Sequence, residues 1–410
     1  MKKTALFLIL LSTVLMPLVA QDGKFHLTWH GMVNPVAWWD SRQVVSGREG
    51  MMFFYPKAVE ADADGNDLGG IPSLNMLAIT TRLNLTIQGP DIWGARVKGF
   101  IEGDFTGSTD ATLNCFRLRH AYINMRWTHA DVLGGMYWYP MVIHEIMPNT
   151  QPLNMGAPFH PYARYAQLRY THHLGALELM ATAAFQTDNK SQGIDGASTA
   201  YLKHSSIPEL NLQVRYNDLS EGIFFGAAYN LSVIRPRDFA IDILGNEYLT
   251  PQTFASHSFS IFGRGDSPSG WSLRVQALLN NNLYEGCTLG GYIEYAKLLD
   301  NGRWQYDYSP WHFTTCWIDI SRIKGHWRPG IFVGYGCNID RDKLDKLTAD
   351  DHAYGRGMDI NSLFRIQPHL TYATDMGLSL TAEVEYTQAD YAATGKADNL
   401  RAILSAVYAF

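Results

Sequence analysis

Apolar and polar positions alternate with period two along most of this chain. In residues 25–39, Phe25, Leu27, Trp29, Gly31, Val33 and Ala37 take one face, and His26, Thr28, His30 and Asn34 the other. In residues 77–88, Leu77, Ile79, Thr81, Leu83, Leu85 and Ile87 oppose Ala78, Thr80, Arg82, Asn84, Thr86 and Gln88. Past Gly89-Pro90-Asp91, the residues Trp93, Ala95, Val97, Gly99, Ile101 and Phe105 oppose Arg96, Lys98, Glu102 and Asp104. The alternation returns in 177–186, 210–216, 271–279 and 378–386. Successive side chains of a strand point to opposite faces, so each stretch predicts a strand that is apolar on one side and polar on the other. Several exceed the ~5–6 residues of an ordinary strand and suit the ~9–11 needed for a tilted membrane crossing. A secreted sandwich with one wet face is the competing architecture, but its strands are shorter and repeat the pattern fewer times.

Connections alternate as well. Short turns at Gly89-Asp91, Thr128-Asp131, Asp218-Glu221, Asp300-Gly302 and Thr374-Gly377 are separated by long links near 41–73, 140–163, 187–207, 234–253 and 339–358. Short turns on one side and long loops on the other predict an all-β fold, a transmembrane antiparallel β-barrel. Hairpin counting predicts 16 strands, with 18 as the alternative, because Arg303–Ile323, interrupted at Pro310, reads as one bent strand or as two.

Both ends of the chain agree with export to a membrane. Lys2-Lys3, the apolar run Ala5 to Leu11, and Ala20 before Gln21 predict a cleaved signal peptide over residues 1–20, leaving 21–410 as one barrel domain. At the other end Ala402, Leu404, Ala406, Tyr408 and Phe410 share one strand face. An apolar strand of that kind is costly as an open edge in water but not as the closing strand of a barrel in lipid. This terminus resembles the closing strand of bacterial outer-membrane barrels, which implies that Tyr408 and Phe410 are the signal read by the barrel-assembly machinery.

Composition narrows the classes. Past the leader no run of 18 apolar residues occurs, which excludes a helical membrane protein. Aromatic residues make up 13% of the chain, enough for two interfacial girdles. The formal charge of −6, made more negative by loss of Lys2 and Lys3, argues against nucleic acid as a partner. Cys115, Cys287, Cys316 and Cys337 have no CxxC spacing and read as isolated wall residues, with a bridge between neighbouring strands left open. The 14 histidines show no HExxH spacing, so neither a catalytic metal nor a cofactor is expected. Asp62-Ala63-Asp64-Gly65-Asn66-Asp67 reads as a solvated turn; calcium is the alternative, weakened by Ser73 where an EF-hand has its bidentate Glu.

Tyr55-Pro56-Lys57, Gly89-Pro90-Asp91-Ile92-Trp93-Gly94-Ala95, Ile101-Glu102-Gly103-Asp104-Phe105-Thr106-Gly107 and Phe116-Arg117-Leu118-Arg119-His120-Ala121-Tyr122 follow one another in order. Gly134-Gly135-Met136-Tyr137-Trp138-Tyr139-Pro140, Pro329-Gly330-Ile331-Phe332-Val333-Gly334-Tyr335 and Glu385-Tyr386-Thr387-Gln388-Ala389-Asp390-Tyr391 come later. Together they resemble the bacterial outer-membrane porin superfamily, most nearly the DcaP-like porins and their relatives in Bacteroidota. The resemblance implies a 16-stranded, trimeric, water-filled channel in the outer membrane whose third loop folds into the lumen. The chain departs from DcaP in lacking an N-terminal heptad segment, so trimerisation through a coiled coil is not implied.

A porin acts through pore-lining charge and a constriction. On the polar strand faces lie Arg82, Arg96, Lys98, Arg215 and Arg274, joined by Arg169, with the acidic Glu102, Asp104, Glu383 and Glu385. In 115–126 neither face is clean, and a bulge near His120 would send Arg117 and Arg119 to the lumen. Arginine on the lipid side near the midplane would cost ~2–4 kcal/mol. Arg82, Arg96, Arg117 and Arg119 are expected to form a basic ladder; the alternative is that each is ballast in an ion pair. The expected constriction is the link 140–163, with His144, Glu145, Pro148, Asn154, Phe159 and His160, because a long loop rich in proline and apolar residues is odd in free solvent. An external cap or trimer contact is its other reading. The expected function is passive diffusion of small hydrophilic, anionic solutes. A barrel protease or lipase and a non-conducting structural barrel are the alternatives. Ser256-His257 is the nearest nucleophile–base candidate, but neighbours in a strand point to opposite faces.

Overall fold

The computed structural model describes residues 25–410 apart from 152–154, 188 and 284–285, so the predicted leader 1–20 and Asn154 lie outside the described residues. Sixteen antiparallel strands close into one barrel. The first is interrupted at Asn34-Pro35. His26–Val33 pairs with Arg82–Gln88, and Val36–Asp40 pairs with Ser73–Leu77. Pro35 has no N–H to give the ladder, which accounts for the interruption.

The wall continues through Arg96–Asp104, Arg117–Arg126, Ala130–Trp138, Arg164–Leu174, Leu177–Phe185, Glu209–Asp218 and Ile223–Ile234. Phe254–Asp266, Trp271–Asn281, Trp304–Arg322, Trp327–Asn338, Ile360–Ala373, Leu378–Tyr391 and Gly395–Ala409 complete it. Gly395–Ala409 closes on the first strand, from Asp40 opposite Arg401 to Met32 opposite Ala409. At this seam Arg401 donates from Nε and Nη2 to the two Asp40 carboxylate oxygens, both at 2.7 Å. Gly31 and Phe410 exchange two backbone hydrogen bonds of 3.0 Å, and the Phe410 ring covers Gly31 so closely that a Cβ would approach it to 2.7 Å. Closure leaves no open edge, as an apolar terminal strand requires.

Trp304–Arg322 is a single strand of 19 residues. Its second half pairs with Trp271–Asn281 in the wall. Its first half leaves the wall and pairs with Gly290–Leu298, which also pairs with His352–Arg356. The 18-strand alternative therefore fails, because the extra strand belongs to a small sheet above the barrel. The Asp300-Gly302 turn is corrected for the same reason: it lies in that outer sheet, on the long-loop end. Links 175–176, 267–270 and 323–326, absent from the expected turns, join wall strands at the short-turn end.

Outward side chains are apolar. Leu83, Ile101, Leu168, Leu212, Ile261, Leu370 and Leu404 are exposed along the wall, while Asn211, Gln213, Ser258, Gln276, Thr315 and Thr387 are buried inside. Exposed Trp93, Trp271, Trp327, Tyr372 and Tyr408 cluster near the short turns and the seam, one interfacial girdle. Cys316 and Cys337 sit on neighbouring wall strands, where Cys316 faces Tyr335 and Cys337 faces Thr314. Cys115 and Cys287 instead lie in connections, correcting the wall placement, and all four thiols are free.

Candidate functional site in the lumen

Two long connections turn into the barrel. The link 139–163 buries Tyr139, Met141, Val142, Ile143, Ile146, Phe159 and Tyr162, and its anchors are on inward faces of distant strands. Arg215 reaches Glu145 Oε1 at 3.3 Å, Arg264 donates to the Glu145 carbonyl at 3.0 Å, and Arg274 donates to the Met147 carbonyl at 2.9 Å. Asn149 N–H bonds Asp319 at 3.1 Å, and Gln151 N–H bonds Glu383 at 3.0 Å. At the far end Thr315 Oγ1 donates to the Phe159 carbonyl at 3.0 Å, and His160 Nδ1 lies 2.8 Å from Gln276 Oε1. The Phe159 ring is seated over Gly334, where a Cβ would stand 2.8 Å from the ring; only glycine leaves that space.

The first connection also enters, which the sequence reading missed. Val44–Gly47 and Met52–Pro56 form a hairpin whose second strand is wholly buried. Arg401 donates to the Gly50 carbonyl at 2.9 Å and Tyr391 Oη to the Pro56 carbonyl at 2.6 Å. Arg365 joins the two inward segments. It donates to the Ala157 carbonyl at 2.6 Å and the Phe54 carbonyl at 2.9 Å, and pairs with Glu385 at 3.2 Å. The missed signal is Met51-Met52-Phe53-Phe54-Tyr55, an apolar run inside a long loop, together with the inward-facing Val36 and Trp38 on the strand beside it.

The predicted charges fall into separate groups. The register of Arg96–Asp104 against Arg117–Arg126 slips between Glu102 opposite His120 and Gly103 opposite Leu118, leaving Arg119 as the extra residue of a bulge. Arg117, Arg119 and His120 all turn away from lipid as a result. Arg119 donates to Glu102 and Asp104 at 2.7 Å each, and Arg117 Nε donates to Asp104 at 2.8 Å. Arg82 stands opposite Asp104 in this group. Arg96 does not: it faces Arg126 at the short-turn end, eight positions from Asp104 along its strand, or about 27 Å. The four-membered ladder is therefore corrected to Arg82, Arg117 and Arg119, interleaved with carboxylates. Arg169 lies over the Tyr137 ring at 5.0 Å, and Lys98 over Phe100 at 5.4 Å. Phe159, His160 and Pro148 are buried anchors, whereas His144 is exposed. Ser256 is buried and donates to the Ser232 carbonyl, while His257 bonds Tyr229 on the other face, so they form no nucleophile–base pair. Asp62 accepts N–H bonds from Asp64 and Asn66, and Asp67 pairs with Arg42, as befits a turn.

The inward segments leave open space along the opposite wall. Near the short turns a cavity of about 360 Å³ is lined by Lys98, Arg126, Arg169 and Arg215 together with Asp131, Glu145 and Glu178. Toward the long loops a cavity of about 620 Å³ is lined by Arg48, Arg117, Arg164, Lys190 and Arg356, and no carboxylate is among the described residues that line it. Arg164, absent from the expected set, stacks 4.2 Å over Trp138 and donates to Tyr162 Oη at 2.9 Å, between the two cavities. Burial pushes the Tyr162 phenol up, but Arg164, Arg119 and Arg117 outweigh burial and the nearby Asp104 and bring it down to about 7.

No family model and no curated protein matches this sequence. Solved structures match over nearly the whole chain. The outer membrane channel DcaP of Acinetobacter baumannii superposes with a TM-score of 0.66 at 16% identity, over 95% of this chain and 99% of that one. OmpF of Salmonella typhi, solved with daunomycin, gives 0.56 at 12%, over 96% and 99%. An anion-selective porin from Comamonas acidovorans gives 0.53 at 10%, over 94% and 100%. Closed, apolar outside and narrowed from within by its third connection, this chain has the fold of the bacterial outer-membrane porins.

Proposed function

We propose that the chain is an outer-membrane porin, passing small hydrophilic solutes by passive diffusion and favouring anions. The observation that carries this reading is the loop-side cavity, with five cationic side chains and no carboxylate among the described residues that line it. Only charges within about a Debye length of the path, ~8–10 Å, govern which ion enters, so this local excess outweighs the negative charge of the chain. Within the superfamily the higher TM-score of DcaP supports the DcaP-like grouping, and the proposed place among its relatives in Bacteroidota rests on the sequence resemblance. On this reading its partners are outer-membrane lipid, the barrel-assembly machinery at Tyr408 and Phe410, small hydrophilic solutes, and two further copies in a homotrimer. OmpT of Vibrio cholerae, a similar structure, has a trimer form. The site needs neither cofactor nor metal.

Reversal potentials across a planar bilayer with a salt gradient test the proposal. Conductance with the chloride sign is expected. Absence of conductance would leave a structural barrel, and a cation-selective potential at neutral pH would overturn the assigned sign.

A further inference from the structure

We propose that the loop-side basic cavity is a binding site for phosphate or sulfate monoesters of small, partly apolar solutes. The inference rests on the channel reading only for how the solute arrives. Three observations carry it. First, Arg48, Arg117, Arg164, Lys190 and Arg356 converge on one space of about 620 Å³, with no carboxylate among the described residues that line it. Asp104 engages Arg117 from behind, and Asp110 accepts from the Arg48 backbone N–H at 2.6 Å and lies 4.0 Å from its guanidinium. Arg164 meets Tyr162 and His120, with no carboxylate partner among the described residues. Cations crowded in this way repel one another, and the relief grows with the charge of the ligand between them.

Second, Ser46, Ser108, Thr109 and Thr187 add hydroxyl groups to the same lining. A carboxylate offers two oxygens, too few for this set. A phosphate monoester offers three terminal oxygens and a charge of roughly −1.5 to −2, a sulfate monoester three terminal oxygens and a single charge, and guanidinium groups bind either in forked pairs. Third, Met52, Phe54 and Met136 form an apolar part of the wall. An ester can lay its organic body there, whereas a dicarboxylate of that length would press its second charge against apolar surface, which costs free energy.

The test uses phenyl phosphate and phenyl sulfate as probes, with benzoate and succinate as comparators. Block of chloride current in planar bilayers is measured alongside line broadening of the phenyl phosphate phosphorus resonance by the detergent-solubilised protein. Both esters should block at about ten-fold lower concentration than either comparator. Arg48→Gln combined with Lys190→Gln should raise the half-blocking concentration of the esters about ten-fold. Lys324→Gln, in a short turn at the other end, should not move it. If the double variant does not assemble, Lys190→Gln alone should still raise it about three-fold. Equal block by esters and carboxylates, or block indifferent to the Arg48 and Lys190 changes, overturns the site. Ester binding without any conductance would instead keep the site and reject the channel reading, while conductance without ester binding would do the reverse.

Discussion

Arg365 is the residue on which the interior turns. Its guanidinium is fully buried and reaches Thr387, Ala157 and Phe54 at once, beside Glu385. A planar fork can serve several acceptors in fixed directions, and a lysine ammonium cannot. Arg365→Lys is therefore expected to cost ~2–3 kcal/mol in the heat-modification midpoint and to raise single-channel conductance as both inward segments loosen. Unchanged conductance would mean that the segments are held elsewhere. Gly334 makes a second test: in Gly334→Val the added methyls collide with the Phe159 ring, at a cost of ~1–3 kcal/mol, with noisier open-channel current. Tyr162 provides a pH dependence. Its phenol lies at about 7 under the influence of Arg164, Arg119 and Arg117, with Asp104 opposing. Raising the pH through that value converts a neutral group into an anion beside the basic cavity, so anion preference should weaken between mildly acidic and alkaline solution. Reversal potentials of Tyr162→Phe should lack that slope; a slope of unchanged size would assign it to another group.

At the scale of elements, the third connection is a wedge fastened at both ends. Arg215, Arg264 and Arg274 hold its start by Glu145 and Met147, and Thr315, Gln276 and Gly334 hold its end by Phe159 and His160. Removing 144–158 should enlarge conductance and reduce anion preference together, because Tyr162 and Arg164, which line the basic cavity, lose the segment that leads into them. An enlarged conductance with unchanged preference would place selection on the barrel wall alone. The Met52–Pro56 strand should feel this deletion mainly through Arg365, which is bonded to both segments.

At the scale of the whole molecule, stability depends on the seam between the first and last strands. The Asp40–Arg401 fork and the Gly31–Phe410 backbone pair lie there, with the Phe410 ring over Gly31. Deleting Phe410 removes the last rung and its ring, so the heat-modifiable form recovered from outer membranes should fall several-fold. Recovery at the original level would mean that neither assembly nor closure depends on the terminal residue.

Period-two alternation is a property of neighbouring residues, so the strands, their apolar outer face and the bulge beside His120 could be read along the chain, and the length and the proline and apolar content of 140–163 point to its inward turn. What the alternation cannot express is which polar groups meet across the lumen. Arg117 and Arg119 face inward because of the bulge and not by simple alternation, and their pairing with Glu102 and Asp104 depends on the same one-residue slip in register. Arg96 and Arg82 share a face by pattern but stand at opposite ends of the wall. Phe159 and His160, expected at the constriction, are spent as anchors. Arg365 meets the Ala157 carbonyl across a sequence separation of 208, and the Phe54 carbonyl across 311. Local order along the chain sets which way each side chain points, because strand geometry does so residue by residue. The partner waiting there was decided only when closure brought distant strands within reach of one another.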